Sequence, residues 1–152
     1  MKICIGGTFD IIHKGHKLLI SKAFEVAGEN GTVFIGVTTD SLIKNKGEIK
    51  SLSSRMTSVK EFLEKKGLLN KAVIKPINDK FGPTLDEDFD VIVVSPETFK
   101  TAEEINILRR KKAKKILKIV KIPFVLAHDG KPISSTRIRN GEIDAEGHII
   151  AD

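Results

Sequence analysis

The stretch GGTFDIIHKGHKLL, residues 6–19, begins with two glycines directly after the first apolar run of the chain and continues with a threonine, an aspartate and two histidines around a third glycine. The glycines would let backbone amides approach a ligand closely, and a helix that begins after them would add N–H groups and a positive dipole end. His13 and His16 are three residues apart around Gly15, so at a helix start both imidazoles can face one anion. This pattern indicates a phosphate site in which imidazole could stabilise charge on a pentacoordinate phosphorus.

Other interpretations of the same stretch stay open. Its spacing matches neither the dinucleotide-binding G-x-G-x-x-G nor the P-loop G-x-x-x-x-G-K-[ST], which disfavours hydride transfer and P-loop hydrolysis. The histidines could be a surface pair without function. They could also bind zinc, although their spacing is shorter than in H-E-x-x-H and no cysteine or third histidine is nearby.

A second polar cluster, ISSTRIRNGE at residues 133–142, offers three hydroxyls and two guanidiniums at a predicted helix start. Ser134 or Ser135 would be the N-cap and Gly141 the stop. An ordinary capped surface helix would have the same composition. Two separate anion sites beside one sheet are nevertheless hard to explain as coincidence, which favours phosphate binding.

Short apolar runs and helical patterns alternate along the chain and would have to position these clusters. Buried strands are predicted at 2–5, 32–37, 72–77, 90–94 and 122–127. Helices are predicted at 15–29 (with breakers at 28, 30 and 31), at 54–66 (closed by Gly67), and from 101 to about 120, where Thr101 and Glu104 have capping-box spacing.

This alternation predicts an α/β fold: a five-stranded, mainly parallel sheet with helices on both faces and ligands at the carboxyl ends of the strands. Without linker composition, residues 1–152 are expected to form one domain. The single cysteine, Cys4, lies in the predicted first strand and should only pack. Without a membrane-length apolar run or a signal pattern, we expect a soluble, cytoplasmic protein with no membrane partner. The net charge of +6 favours anionic partners.

The segments GTFDIIHKGH and ISSTRIR resemble the two signatures of the HxGH nucleotidyltransferase superfamily, which is cytidylyltransferase-like. The resemblance covers nearly the whole chain. It implies a Rossmann-like nucleotidyltransferase fold with a nucleoside triphosphate across the switch point of the sheet. The wording GTFD, VVSPET and ISSTRIR, at 7–10, 93–98 and 133–139, is most similar to the phosphopantetheine adenylyltransferases of the archaeal and eukaryotic type.

This resemblance implies that the phosphate of 4'-phosphopantetheine attacks the α-phosphorus of ATP, giving dephospho-coenzyme A and pyrophosphate, with Mg²⁺ accompanying ATP as co-substrate. No covalent enzyme intermediate and no protein-bound metal are expected. A phosphate nucleophile needs no general base, so the site has only to supply positive charge, hydrogen-bond donors and alignment.

By the same resemblance, Thr8 would bridge the incoming phosphate and the α-phosphate, His16 would stabilise the transition state and His13 would hold nucleotide phosphates. Asp10 could orient groups in the site or simply form an Asx turn. The expected nucleotide contacts in this stretch are Gly6, Gly7, Thr8, Phe9, Asp10, His13, Gly15 and His16.

Elsewhere, Ser134, Ser135 and Thr136 would cradle the β- and γ-phosphates, with Arg137 or Arg139 neutralising them. Ser95 and Glu97 would lie near adenine, ribose or acceptor. Lys44 is the first candidate for the acceptor phosphate, with Lys46 and Lys50 as substitutes, although a charged loop is often simply solvated. Further acceptor candidates are Arg55, Asn106 and Arg109.

Two alternatives stay open. A sister enzyme could form FAD or use CTP with glycerol phosphate or choline phosphate, although the stretch AHDGKPISST lacks the Arg-Thr-x-Gly typical of cytidylyltransferases. A non-catalytic nucleic-acid-binding module would fit the pI of about 9.4 and the basic run at 109–115. The absence of Trp and Tyr leaves few stacking platforms, so no nucleic-acid partner is expected, and a monomer is preferred.

Overall fold

The computed structural model describes residues 1–43 and 49–150. Within these residues the strands are β1 (Lys2–Gly7), β2 (Thr32–Thr38), β3 (Ala72–Ile77), β4 (Val91–Val94) and β5 (Lys118–Lys121). The α-helices are α1 (Lys14–Ala27), α2 (Leu52–Lys65), α3 (Phe99–Lys111) and α4 (Ser135–Arg139). Short 3₁₀ turns lie at Asp40–Leu42, Leu69–Lys71 and Gly82–Leu85.

The strands form one sheet in the order β3-β2-β1-β4-β5, and all four strand pairings are parallel. Strand β1 lies at the centre, between β2 and β4. Because the connection after β1 leads to one side and β4 returns on the other, a crevice forms at the carboxyl end of β1. The predicted α/β class and five-stranded sheet are therefore confirmed.

Helices cover both faces of the sheet, as predicted. On one face, α1 packs against β1, β2 and β4, and α2 packs against β2 and β3. The buried side chains Ile20, Val59 and Leu63 share one core cluster with Ile3 and Ile5. On the other face, α3 packs its buried residues against the opposite side of the same strands, with Cys4, Ile92, Val94, Ala102 and Ile105 in one cluster. The alternation of β1 side chains between two apolar cores explains why Ile3, Cys4 and Ile5 are all apolar.

Glycines end three of the helices where the sequence predicts a stop. Gly28 follows α1 with φ 72°, Gly67 follows α2 with φ 70°, and Gly141 follows α4 with φ 76°. This left-handed backbone is easily adopted only by glycine, so each helix has a fixed end.

The third helix and the fifth strand differ from the prediction. Helix α3 ends at Lys111 rather than near 120, and β5 occupies 118–121 rather than 122–127. Ala113 adopts φ 57°, and the Lys114 amide turns back to the Arg109 carbonyl, so the basic run leaves the helix. Pro123 cannot donate to a ladder, and the segment after it keeps only an isolated antiparallel bridge between Leu126 and Pro132.

The predicted capping box at Thr101 and Glu104 is also wrong. Helix α3 already begins at Phe99, with Thr98 as its N-cap residue, so Thr101 lies inside the first turn. The Thr98 hydroxyl instead accepts a hydrogen bond from the Ser95 amide at 3.2 Å, which stabilises the turn after β4. In the described part of the chain, no helix is long and apolar enough to cross a membrane.

Candidate active site

A cavity of about 590 Å³ opens at the carboxyl edge of the sheet, over the ends of β1, β2 and β4. It brings together both polar clusters that the sequence singles out, although they are more than 100 residues apart. The predicted site residues that line it are Gly6, Gly7, Thr8, Phe9, Asp10, His13, Gly15, His16, Ser95, Glu97, Ser134, Ser135 and Thr136. The topology, rather than local sequence, creates this convergence.

The two histidines form a reciprocal cap at the start of α1. His13 is the N-cap residue, and its Nδ1 accepts hydrogen bonds from the amides of Gly15 at 3.0 Å and His16 at 3.4 Å. In return, His16 Nδ1 accepts from the His13 amide at 3.3 Å. The rings stack with centroids 3.8 Å apart. This is a capping box in which imidazoles replace the usual Ser and Glu.

This geometry fixes the protonation state of both rings. A nitrogen that accepts an amide hydrogen bond carries no proton, so each neutral imidazole has its N–H on Nε2. Burial lowers the pKa of His13 from 6.5 to about 4. Burial and the neighbouring His13 lower the pKa of His16 to about 3, against the opposing effects of the Ile11 carbonyl and the Asp10 carboxylate. Near neutral pH the pair can therefore donate hydrogen bonds but is neither cationic nor basic.

The histidine pair should make the free energy of unfolding pH-dependent. Both folded pKa values lie below the ordinary 6.5, so the unfolded chain binds more protons between pH 6.5 and about 4. The contribution is fully present above pH 6.5 and is lost on acidification, with a slope of up to about 1.4 kcal/mol per pH unit for each histidine.

Urea unfolding at pH 7, 6 and 5 measures this slope, with the double variant H13Q/H16Q as control. Glutamine does not titrate, so the variant should show a flatter pH dependence, whatever its constant offset in stability. The lowered carboxyl pKa values of Asp129, Asp144 and Glu146 act only at lower pH, below their ordinary values of 3.8 to 4.5. Equal slopes in wild type and variant would contradict the pKa values of the pair.

The backbone amides of the first turn of α1 are not available to an anion, contrary to the prediction. The Lys14 amide donates to the Ala145 carbonyl at 2.9 Å, those of Gly15 and His16 donate to His13, and that of Lys17 donates to the His13 carbonyl at 3.0 Å. The N-cap side chain has satisfied the groups that a bare helix start would offer. An anion at this end would therefore meet imidazole N–H groups rather than amides.

Gly15 is required by the ring of His13. A Cβ atom at Gly15 would lie 2.9 Å from Cε1 and 3.1 Å from Nδ1 of His13, closer than such atoms normally approach. The sequence predicts a nucleotide contact at this glycine, which does line the cavity. The space left by its missing side chain is taken by the imidazole that caps the helix.

Phe9 determines how the chain turns out of β1. It has φ 52°, a left-handed conformation that is uncommon outside glycine, and its side chain is 0% exposed. Its ring lies 5.1 Å from that of His16. The buried ring holds the turn, and the turn directs Thr8 and Asp10 to the cavity.

Arg55, predicted to bind acceptor phosphate, is instead buried beneath the site at 0% exposure. Its Nε donates to the Lys50 carbonyl at 2.9 Å, and its NH2 donates to Asp40 Oδ1 at 2.9 Å. Its NH1 donates to the carbonyls of Thr8 at 2.9 Å and Thr38 at 2.8 Å. These bonds occupy four of its five N–H groups. Arg55 therefore stabilises the backbone beneath the site, and its predicted role is corrected to a structural one.

Asp10 joins three separate segments. Its Oδ1 accepts the Lys50 amide at 2.8 Å, and its Oδ2 accepts a hydrogen bond from NH1 of Arg139 in α4. The side chain is 3% exposed. The prediction of an orienting role is thus favoured over a local Asx turn, because both oxygens bind residues 40 or more positions away.

Helix α4 forms part of the cavity wall. Ser134 is its N-cap and accepts the Arg137 amide at 3.2 Å, as predicted. Arg139 lines the cavity, whereas Arg137 points away and pairs with Asp129 and Glu142. Of the two arginines left open by the sequence, Arg139 is therefore the one that lines the cavity, and the choice of Arg137 is corrected.

Asn106 and Arg109 do not face the cavity, contrary to the prediction. The Asn106 amide group exchanges two hydrogen bonds of 2.8 Å with the backbone of Leu117, which joins α3 to the start of β5. Arg109 is 1% exposed and donates to the carbonyls of Lys115, Thr84 and Glu87. Their i, i+3 spacing does place them on one face, but that face is the buried side of α3.

The predicted acceptor lysines can be placed only in part. Lys44 and Lys46 lie outside the described residues. Lys50 is exposed, and its backbone, rather than its ammonium group, contacts the site by bonding to Asp10 and Arg55.

Several positions at or beside the cavity are not predicted from the sequence. Thr38, at the end of β2, lies beside Thr8 on the cavity wall. The available signal in the sequence was a polar residue directly after the strand predicted at 32–37. Phe124, 48% exposed, lines the cavity after β5 and was hidden by the misplaced strand. The turn around Ala145 caps α1, and Glu146 pairs with Lys17 at 3.0 Å, a long-range contact without a sequence signal.

The fit of a metal ion can be judged from the donor set. In residues 1–43 and 49–150, no group of three or more His, Cys, Asp or Glu side chains could hold one. Both oxygens of Asp10 already accept hydrogen bonds. Mg²⁺ commonly keeps several waters and binds substrate phosphates, so a cation at this site would have to depend mainly on those ligands.

The parallel sheet, the capped histidine pair at its central crevice and the hydroxyl-rich α4 define a nucleotidyltransferase-type site. The chain belongs to the cytidylyltransferase-like family, whose model matches residues 4–141.

Curated archaeal relatives named phosphopantetheine adenylyltransferase match almost the whole chain. The protein of Methanosarcina mazei is 47% identical over 97% of this chain and 96% of its own length. That of Methanothermobacter thermautotrophicus is 49% identical over 97% of this chain and 88% of its own length. That of Archaeoglobus fulgidus is 42% identical over 99% of this chain and all of its own.

Solved structures share the fold. A protein of unknown function from Archaeoglobus fulgidus is 37% identical and superposes with a TM-score of 0.73 over 80% of this chain and 89% of that one. A pantoate-beta-alanine ligase from Francisella tularensis is 17% identical, with a TM-score of 0.60 over 91% of this chain and 65% of that one. The second likeness shows the fold alone.

Proposed function

We propose that this protein transfers the adenylyl group of ATP to 4'-phosphopantetheine, giving dephospho-coenzyme A and pyrophosphate in coenzyme A biosynthesis. The observation that carries the proposal is the cavity that unites Thr8, His16 and Ser134–Thr136 at the carboxyl edge of the sheet. The relatives also support the proposal, because archaeal proteins that match the chain over nearly its full length share the name phosphopantetheine adenylyltransferase.

In the proposed reaction, a phosphate oxygen of the acceptor forms a bond to the α-phosphorus while the bond to the bridging α–β oxygen breaks. Pyrophosphate leaves with the electron pair of that bond. The nucleophile is already an anion, so no group has to remove a proton from it. This agrees with histidines that are neutral and carry their proton on Nε2.

Each proposed role follows from a donor that faces the cavity. His16 would donate to an oxygen of the α-phosphate and strengthen that bond as charge develops. His13, the hydroxyls of Ser134, Ser135 and Thr136, and Arg139 would bind the remaining phosphates. Ser95 and Glu97, after β4, lie where they can contact the nucleoside or the acceptor.

Mg²⁺ is proposed to enter on the triphosphate of ATP, where it would neutralise charge, with Ser134–Thr136 beside the phosphates that hold it. The basic residue for the acceptor phosphate stays a prediction, with Lys44 first and Lys46 as its substitute. A monomeric state and a cytoplasmic location also stay predictions from the sequence.

The test is pyrophosphate release by the purified protein with Mg²⁺ and ATP or CTP, paired in turn with 4'-phosphopantetheine, FMN and glycerol phosphate. Release only from ATP with phosphopantetheine supports the proposal. Release with another pair would keep the nucleotidyltransferase class and overturn the substrate. Silence with every pair, together with a salt-dependent gel shift, would favour the nucleic-acid-binding alternative.

A further inference from the structure

The side-by-side ends of β1 and β2 place two threonine hydroxyls in contact on the cavity wall. The last paired residues of these strands are Gly7 and Val37, so Thr8 and Thr38 follow as neighbours. Their Oγ1 atoms are 3.0 Å apart, and both side chains line the cavity. A hydroxyl can donate one hydrogen bond, so the partner of Thr8 influences where its proton points.

A buried guanidinium holds both threonines from behind. One nitrogen of Arg55, NH1, donates to the carbonyls of Thr8 and Thr38 at 2.9 and 2.8 Å. The rest of the group is fixed by Asp40 and the Lys50 carbonyl. Because the guanidinium is planar and fully buried, these bonds join the two residues in addition to the pairing of their strands.

We propose that Thr38 and Arg55 are positioning residues for Thr8. This role requires the Thr38 hydroxyl, which could be donor or acceptor in the contact, to donate to Thr8 Oγ1, so that the Thr8 proton is directed into the cavity, toward the oxygens of the two phosphates that react. Arg55 keeps the two hydroxyls within hydrogen-bond distance. No proton is transferred from one residue to another during the reaction. The inference rests on the proposed function, since it assigns the Thr8 hydroxyl to a phosphate of that reaction.

The first test is a double-mutant cycle of T8V, T38V and T8V/T38V, with T38S as the conservative variant. T38V should lower kcat about tenfold, the effect of losing one well-directed hydrogen bond, while KM for ATP changes less than twofold. T38S should restore kcat. The double variant should be no slower than T8V, because Thr38 acts through Thr8. Wild-type kcat in T38V, or multiplicative losses in the double variant, would overturn the proposal.

The second test separates position from stability by comparing R55K with R109K. Both arginines are at most 1% exposed and donate to several backbone carbonyls, but only Arg55 contacts Thr8. Lysine keeps the positive charge but lacks the planar guanidinium group with its several N–H donors. Both variants should therefore have a lower melting temperature. Only R55K should lower kcat, at least tenfold, well below its melting temperature. Equal kinetic losses in the two variants would assign the effect to stability and remove Arg55 from the proposal.

These outcomes can be told apart from a failure of the proposed function. If the wild type uses a different acceptor, the function is wrong, and the same cycle with that acceptor still decides the role of Thr38. If no acceptor works, the cycle is measured by urea unfolding. Coupled unfolding energies would support the Thr8–Thr38 hydrogen bond, and additive ones would overturn it together with the positioning role.

Discussion

Replacing His16 with alanine is expected to lower kcat about 10²–10³-fold, the usual effect of removing one donor to a developing charge. The affinity for ATP should change far less, because the interaction is proposed to strengthen in the transition state. The measurement is steady-state pyrophosphate release, with ATP binding followed separately by calorimetry. Turnover near the wild-type rate would remove His16 from the mechanism.

His16 also caps α1, so the alanine variant alone would mix two effects. His16 occupies the N3 position, and its Nδ1 accepts the His13 amide at 3.3 Å. Glutamine is a favourable N3 residue and can keep that bond without an imidazole. We expect H16Q to recover most of the stability lost in H16A but little of the activity. Recovery of activity in proportion to stability would mean that His16 matters only as a cap.

The sheet is predicted well because each buried parallel strand has a local signal in the sequence, a short apolar run between helical patterns. The sequence also predicts that the two polar clusters lie beside one sheet, and His16 and Ser134 do line the same cavity at the edge where the carboxyl ends of parallel strands meet. It fails at β5, where a basic run prolongs the helical pattern of α3. The exit from that helix depends on Ala113 and on the long-range bonds of Asn106, which no local pattern contains.

The same limit explains the misplaced arginines. From the sequence, Arg55, Arg109 and Arg137 are equivalent candidates for an anion. In the fold, the first two are buried and bind backbone carbonyls, and the third pairs with Asp129. Whether an arginine meets a ligand or the protein itself depends on which carbonyls and carboxylates surround it after folding, and spacing along the chain does not contain that information.

Replacing Asp10 with asparagine should destabilise the fold by about 2–3 kcal/mol and weaken ATP binding. Breaking a buried ion pair by removing one partner costs roughly 3–5 kcal/mol, and Arg139 keeps some contact with water, which reduces the loss. The asparagine Oδ1 can still accept the Lys50 amide, but its NH2 group would face the NH1 donor of Arg139, so the link between the loop after β1 and α4 would loosen. Urea unfolding and calorimetry with ATP measure the two effects.

The matched control for this variant is D129N, which breaks the pair between Asp129 and Arg137. That pair lies outside the cavity lining and is more exposed, so its loss should cost less stability than D10N and leave ATP affinity unchanged. If D10N binds ATP as wild type does, Asp10 only stabilises the fold. If D129N weakens ATP binding equally, general loosening of α4 explains the effect. A loss confined to D10N makes Asp10 the link through which the loop after β1 and the cavity-lining end of α4 are aligned.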